Sequence, residues 1–221
     1  TLGTAALAAL LVEEPPEHHR AARVSVPIRE AMLGPLGSFF VLAFFVSFAM
    51  SAIETTFPQF IADTLGLGAS AMGRMFTILG IILIALQGGA LGRLINAFGE
   101  ETILVAGLGL NILGCLLLAR ASGATSVTAT LIAAGVGNQI IRPTNSSLIS
   151  KRSPYGHGAS MGILDSMDSL GRVLGPLAAG AVYAYGPGWP FNAAACALAL
   201  IAAFYVPAYM RRRTASPQRS I

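Results

Sequence analysis

The sequence predicts an all-α membrane protein, a bundle of six transmembrane helices preceded by the end of another helix. Three observations predict this class. Only 11% of the 221 residues are charged and 54% are hydrophobic, whereas soluble domains carry about 25% charged residues. The charges cluster between apolar stretches of the length that a helix needs to cross a bilayer, about 20 residues. Glycine and alanine are frequent in those stretches, which is typical of closely packed membrane helices.

The elements follow in chain order. Residues 1–12 are apolar, too short to span a bilayer and lack a starting Met, so we interpret them as the end of a preceding transmembrane helix. Residues 13–33 form a polar linker whose three prolines disfavour a continuous helix. A six-span unit covers residues 34–209, and a polar tail that we expect to be disordered covers residues 210–221. The predicted spans are, roughly, residues 34–56, 73–91, 102–120, 126–147, 159–184 and 190–209.

The distribution of Lys and Arg predicts the orientation. Ten of these residues lie in the linker, the tail and the two connections on the same side, 92–101 and 148–158. Only Arg74 and Arg120 lie in the connections on the opposite side. Basic residues concentrate in cytoplasmic loops, so we expect the linker and the tail in the cytoplasm and a multi-pass protein of the cell (inner) membrane.

The fifth span carries three charged residues on one face. Asp165, Asp168 and Arg172 are spaced i, i+3, i+7, and Asp168 and Arg172 straddle the predicted midplane. A charge at the bilayer centre costs about 2.5–3.5 kcal/mol or more, so such residues mark function or pair with one another. One alternative is an internal ion pair between Asp168 and Arg172 that only neutralises the helix. The other is a polar face along a water-filled path, on which a desolvated carboxyl carries a proton.

The fourth and first spans also carry polar faces. In the fourth, Asn138, Arg142 and Asn145 follow i, i+4, i+7, with Gln139 adjacent, and Pro143 favours a kink. These residues either line a substrate path or, for Arg142, reach the inner surface. The first span carries a stripe at 47, 51, 54 and 55, in which Ser51 is a candidate for the path and Glu54 a second candidate proton carrier. Hydrogen bonding between packed helices is the alternative for the stripe.

Other functional classes are excluded or disfavoured. The G-x-S-x-G match at 158–162 opens a membrane span instead of a strand–turn–helix elbow, so we do not expect an enzyme. The sequence shows no spacing for a metal and no phosphate-binding loop, and therefore predicts neither a metal nor a cofactor. The basic residues lie between apolar runs and build no basic–aromatic face, which argues against nucleic acid as a partner.

At this point the chain resembles the second half of a major facilitator superfamily transporter, most closely the drug–proton antiporter branch. One motif lies between the second and third spans, where Gly92, Arg93, Asn96 and Gly99 match or vary the loop signature G-x-L-x-D-R-x-G-R-R. Asn96 replaces the Asp of that signature, and acidic residues at 100 and 101 replace its final basic pair. The resemblance implies a gating loop. These departures remove the acidic residue and the final basic pair on which the usual charge relay depends.

A second motif lies in the fifth span. Gly171, Gly175, Pro176 and Gly180 match the antiporter pattern G-x-x-x-G-P-x-x-x-G. The glycines permit close helix approach and the proline favours a bend. The resemblance further implies that the first and fourth spans line a central cavity and that an N-terminal six-helix half, absent from this chain, completes the transporter.

These observations lead to a hypothesis with alternatives. The leading one is proton-coupled efflux of a hydrophobic or amphipathic small molecule, in which membrane lipid, the substrate and protons are the partners. Asp168, Glu54 and Asp165 are the candidate proton carriers. The alternatives are a uniporter or symporter of a polar or anionic metabolite, with Arg142 or Arg172 as the anion contact, and an inactive half-transporter.

The predicted orientation has a direct test. Ala22→Cys and Ala215→Cys, each in a background without Cys115 and Cys196, should resist a membrane-impermeant thiol reagent added outside intact cells, because both positions are predicted to be cytoplasmic. Ser122→Cys, in a predicted outer connection, should be labelled and serves as the control. Ready labelling at position 22 or 215 would contradict the predicted orientation.

Overall fold

The computed structural model describes residues 28–215 except Pro35 and Tyr155, and within this part of the chain it is helical with no strand. The predicted end of a preceding helix at 1–12 and most of the linker lie outside the described residues. A short helix, α1 (Ile28–Leu33), begins directly after Pro27, so the end of the predicted linker is helical. Proline is well tolerated at the start of a helix, where its missing N–H is not needed for a helical hydrogen bond.

The remaining helices build a bundle in the predicted order. They are α2 (Gly37–Leu65), α3 (Ala69–Ala85), a π-helical turn (Leu86–Ala90), α4 (Leu91–Phe98), α5 (Glu100–Leu118), α6 (Ala124–Arg152), α7 (His157–Tyr183) and α8 (Trp189–Ala215). Within the described part of the chain, five segments are long and apolar enough to cross a membrane, namely Gly37–Leu65, Ala69–Phe98, Glu100–Leu118, Ala124–Arg152 and Trp189–Pro207. The all-α membrane class is thereby confirmed.

Helix α7 is the exception among the six predicted spans. Its 27 residues reach about 40 Å, enough to cross a bilayer, yet it is not among the segments that are apolar enough. Asp165, Asp168 and Arg172 account for its polarity. The count of six spans therefore stays a prediction.

Several boundaries and interruptions differ from the sequence-based prediction, among them the end of the first span, since α2 continues to Leu65 and not to about residue 56. Helix α8 continues to Ala215, so the first part of the tail is helical and not disordered as expected. Helix α6 runs through Pro143 without interruption, whereas the second span is interrupted near its end, where Gly89 has φ 128°. Glycine adopts such a positive φ without steric cost. The helical turn that contains Pro143 can be held in place by the helices packed around it.

Two closely packed helix pairs form the core. Helix α2 packs on α7, helix α5 packs on α6, and α8 contacts both α2 and α5. Aromatic edge-to-face contacts join α2 to α8, with ring centroids 4.9 Å apart for Phe60 and Phe191 and 5.5 Å apart for Phe39 and Tyr205. Helix α3 contributes few buried residues and leaves Ile81 and Ile84 more than half exposed.

Glycines set the spacing within both pairs. A Cβ added at Gly171 would lie 2.5 Å from the Phe44 carbonyl oxygen, and one at Gly175 2.5 Å from the Phe48 carbonyl oxygen. In the other pair, a Cβ at Gly114 would collide with the Ala134 backbone nitrogen. Because backbone atoms cannot move aside cheaply, these positions require glycine.

The fifth-span motif is thus only partly explained by packing. Gly171 and Gly175 form the contact with α2, while Gly180 has no atom within 4 Å of its hypothetical Cβ in the described part of the chain. Pro176 lies inside an uninterrupted α7. A packing role for Gly180 and a bending role for Pro176 stay predictions.

This difference gives a matched test on one helix. Gly171→Ala should destabilise the protein by about 1–3 kcal/mol, the usual cost of overpacking, because its methyl group would meet the α2 backbone. Gly180→Ala should leave stability unchanged or raise it by roughly 0.5–1 kcal/mol, the helix preference of alanine over glycine. The measurement is the thermal unfolding midpoint of the purified protein in detergent. Equal effects of the two substitutions would contradict the assigned contact.

Candidate functional site

An ion pair and a hydrogen bond at Asp168 together join three helices. The Arg142 guanidinium on α6 donates to the Asp168 carboxylate on α7, with 2.6 Å between Nη2 and Oδ2. The Ser47 hydroxyl on α2 donates to the other carboxylate oxygen of Asp168 at 2.7 Å. The Asp168 side chain is only 19% exposed and that of Arg142 37% exposed. Both oxygens of the most central carboxylate are therefore bound by groups from neighbouring helices.

The pairing differs from the alternative in which Asp168 pairs with Arg172 one turn away. The structure pairs Asp168 with Arg142 across helices, and the Arg172 side chain remains exposed. The Ser51 hydroxyl reaches the Arg172 backbone carbonyl at 3.0 Å, not its guanidinium. A pair within α7 would have left Arg142, the less exposed of the two arginines, as an uncompensated charge on α6.

Two cavities lie on either side of this ion pair. The inner cavity, about 230 Å³, is lined by residues on the side of the helix ends at Arg152 and His157, among them Asn145, Ser146, Leu164 and Asp165. The outer cavity, about 170 Å³, is lined on the opposite side by Ser47, Met50, Ser51, Glu54, Asn138 and Arg172. Arg142 thus borders both cavities, while Asp168 lines the inner one and Ser47 the outer one.

Each cavity is lined by a buried asparagine. Asn138 and Asn145 are 5% and 2% exposed, and the side-chain oxygen of each has no hydrogen-bond partner in the described part of the chain. The Asn145 amide nitrogen donates to the Phe39 carbonyl at 3.1 Å, which fixes its orientation. Buried polar atoms are normally satisfied, so two free acceptors beside two cavities indicate sites for water or a ligand.

The remaining candidates distribute between the cavities. Glu54 and Arg172 line the outer one and Asp165 the inner one. None of the three forms an ion pair within the described residues. Gln139 lines neither of these two cavities. The structure thus brings together all the predicted path residues except Gln139, and their roles in transport stay predictions.

The predicted gating loop is largely a helix. Gly92, Arg93 and Asn96 lie in α4, and Gly99, with φ 83°, joins α4 to α5. The reason is the spacing of apolar residues at 91, 94, 95 and 98, one face of an amphipathic helix. The loop signature alone did not reveal this periodicity.

The acidic pair that follows is held by basic residues that the sequence analysis did not select. Lys151 contacts Glu100 at 2.7 Å and Arg152 contacts Glu101 at 2.5 Å. The Arg152 guanidinium also lies 5.8 Å from the centre of the Phe39 ring. These contacts tie the start of α5 to the end of α6 and to α2. Opposite charges at the two helix ends were the available signal, which also complements both helix dipoles.

Ser47 is the other residue that the candidate set missed. Its position in the polar stripe of the first span was visible, and Ser51 and Glu54 from the same stripe were selected. A serine hydroxyl more often bonds within its own helix, as that of Thr56 does to the Ala52 carbonyl. Only the helix arrangement shows that Ser47 reaches Asp168.

Comparison with known proteins agrees with this architecture. The family model described as Major Facilitator Superfamily matches residues 39–220. The chain is 25% identical over 205 residues to the tetracycline resistance protein, class H, of Pasteurella multocida, covering 89% of the chain and 50% of that protein. It is 25% identical over 179 residues to multidrug resistance protein 1 of Bacillus subtilis, covering 79% and 46% respectively. It is 26% identical over 143 residues to quinolone resistance protein NorA of Staphylococcus aureus, covering 65% and 37%.

The chain spans half or less of the length of these relatives. The match with the family model nevertheless includes the three helices that carry the ion pair and both cavities. A multi-pass helical bundle with this match belongs to the Major Facilitator Superfamily, a family of membrane transport proteins and not of enzymes.

Proposed function

We propose that this chain is the C-terminal half of a proton-coupled exporter of a hydrophobic or amphipathic small molecule, working in the cell (inner) membrane together with an N-terminal six-helix half. The observation that carries the proposal is the Asp168 carboxylate, bound by Arg142 and Ser47 between two cavities. The relatives are named for resistance to tetracycline, to quinolones and to multiple drugs. These names support efflux as the activity of the complete protein.

The mechanism follows from the charge of Asp168. When its carboxylate is ionised, it holds the Arg142 guanidinium, and the pair keeps the two cavities apart. When a proton binds, the attraction between the two charges is lost, and Arg142, which lines both cavities, is free to move toward either one. Proton binding and release thereby alternate between a joined and a separated arrangement of α6 and α7.

The two other carboxyl groups provide a route for the proton. Glu54 lines the outer cavity and Asp165 the inner one. Glu54 and Asp165 are both exposed, so water can reach their carboxyl groups. In this proposal Glu54 receives a proton from the outer side, Asp168 exchanges it across the partition, and Asp165 passes it to the inner side.

One observation favours a second candidate function. Arg172 lines the outer cavity without an ion pair in the described part of the chain. A free guanidinium in a polar cavity is a contact for a carboxylate or phosphate. A uniporter or symporter of an anionic metabolite would use it, and dependence of transport on a proton gradient separates this function from proton-coupled export.

The test is Asp168→Asn in the complete transporter. Asparagine keeps the size of the side chain and its bond to Ser47 but cannot carry the proton. Proton-driven transport should fall about tenfold or more, while substrate binding and exchange without a gradient should be largely retained. Transport into inverted membrane vesicles, with and without an imposed pH gradient, measures both.

The control is Asp63→Asn, which removes a carboxylate from the end of the same bundle, where Asp63 contacts only Tyr183 among the described hydrogen bonds. It should leave gradient-driven transport close to that of the unmodified protein. If Asp168→Asn transports normally while Glu54→Gln is inactive, Glu54 is the carrier. If both transport normally, the proton moves elsewhere in the transporter and the proposal for this half is wrong.

A further inference from the structure

The inner cavity is lined by a buried asparagine whose orientation is fixed by a hydrogen bond. Asn145 is 2% exposed, and its amide nitrogen donates to the Phe39 carbonyl on α2 at 3.1 Å. Its side-chain oxygen has no hydrogen-bond partner in the described part of the chain. A buried acceptor of this kind normally receives a hydrogen bond from the protein or from an ordered water molecule.

Two carboxyl groups of the proposed proton route line the same cavity. Asp165 and Asp168 are three residues apart on α7, a spacing that places their Cβ atoms about 5–6 Å apart. Asp168 is bonded to Ser47 and Arg142, and among the described residues no hydrogen bond joins it to Asp165. A proton that passes from one carboxyl group to the other therefore needs a carrier between them.

The cavity meets the requirements for an ordered water molecule. Its volume is about 230 Å³, whereas one water molecule occupies about 30 Å³ in the liquid. An ordered water also needs roughly two to four polar partners, and the oxygen of Asn145 with the two carboxyl groups provides three. Most of the remaining lining is apolar, including Ala43, Val46 and Ile141, so a water molecule is drawn to the polar groups.

We infer that Asn145 is a positioning residue of the inner proton route, and that its side-chain oxygen holds the water molecule that connects Asp168 to Asp165. This inference rests on the proposed function, because it specifies how the same site passes its proton to the inner side. An amide oxygen only accepts hydrogen bonds, so the water donates one O–H to Asn145. Its other O–H and its lone pairs serve the two carboxyl groups.

The proton transfer is balanced within these groups. The water oxygen accepts a hydrogen bond from protonated Asp168, and the water donates one to ionised Asp165. As the O–H bond of Asp168 breaks, its proton binds the water oxygen, and the water O–H bond that faces Asp165 breaks. Asp165 ends protonated, Asp168 ends ionised and able to hold Arg142 again, and the water molecule is regenerated.

The first test measures coupling and substrate exchange in the same variant. Asn145→Leu keeps the branched shape of the side chain and removes its oxygen. In the complete transporter in inverted membrane vesicles, the ratio of gradient-driven transport to exchange without a gradient should fall about tenfold or more, because a positioned group contributes roughly 10²–10⁴-fold to proton transfer. Asn145→Asp keeps an oxygen acceptor and, when protonated, a donor to Phe39, so it should restore most of this ratio.

Asn111→Leu is the matched control. Asn111 is also 2% exposed, lies on α5 and lines neither of the two cavities, and its oxygen accepts a hydrogen bond from Cys115. Both leucine substitutions remove a buried amide and disturb packing, but only Asn145→Leu should change the ratio. The inference is wrong if Asn145→Leu leaves the ratio unchanged or if Asn111→Leu lowers it equally.

A spectroscopic measurement detects the water molecule itself. Difference infrared spectra of the purified transporter, induced by acidification and recorded in ordinary and in heavy-oxygen water, identify the O–H stretching bands of bound water by their isotope shift. At least one such band should be present in the unmodified protein and in Asn111→Leu and be lost in Asn145→Leu. Its absence from the unmodified protein, or its persistence in Asn145→Leu, would overturn the inference.

The outcomes also separate this inference from the proposed function. Loss of coupling in Asp168→Asn together with an unchanged ratio in Asn145→Leu would retain the proposed function and reject the inference. Normal gradient-driven transport in Asp168→Asn would reject the coupling role of this half, and with it the inference. In that case the infrared band would still show whether Asn145 binds water.

Discussion

The contact between Gly171 and Gly175 on α7 and the backbone of α2 is the constraint on which the site depends. A side chain at either position would collide with the carbonyl oxygen of Phe44 or Phe48. Asp168 lies one turn before Gly171, so the close approach that the glycines permit also brings its carboxylate within 2.7 Å of the Ser47 hydroxyl. In a membrane, where apolar burial drives helix association weakly, such backbone contacts and interhelical hydrogen bonds supply the specificity.

The ion pair between Arg142 and Asp168 follows from that geometry. With α2 and α7 held together, α6 brings the guanidinium to the one carboxylate oxygen that Ser47 does not occupy. A partly buried ion pair adds little net stability, because desolvation of both groups offsets their attraction. Its place beside two cavities is what makes it the centre of the proposed coupling mechanism. In that proposal, a change in the charge of one carboxylate alters contacts between helices.

A second set of charges operates at the helix ends. The paired contacts of Glu100 and Glu101 with Lys151 and Arg152 connect α5 to α6, the same two helices that pack through Gly114 and Ala134. The Lys151 side chain is 64% exposed, and exposed pairs contribute about 1 kcal/mol or less. These contacts therefore orient the ends of the helices more than they stabilise the bundle. Where the loop signature ends in two basic residues, this chain has two acidic residues, and their basic partners lie on α6.

The helical membrane class, the order of the helices and the identity of most polar groups at the site follow from local features of the sequence. Hydrophobic length and charge clustering are local properties, and the i, i+4, i+7 stripes on the first, fourth and fifth spans already selected Glu54, Asn138, Arg142 and Asp168. Spacing along one helix cannot decide which group a charge meets, since Arg172 and Arg142 were both available to Asp168. In the folded bundle Asp168 pairs with Arg142 and Ser47, and residues 91–98 form a helix. The side-chain oxygens of Asn138 and Asn145 have no hydrogen-bond partner within the described residues. Each of these outcomes depends on distances between helices, which glycine packing sets and which no periodicity within a single helix contains.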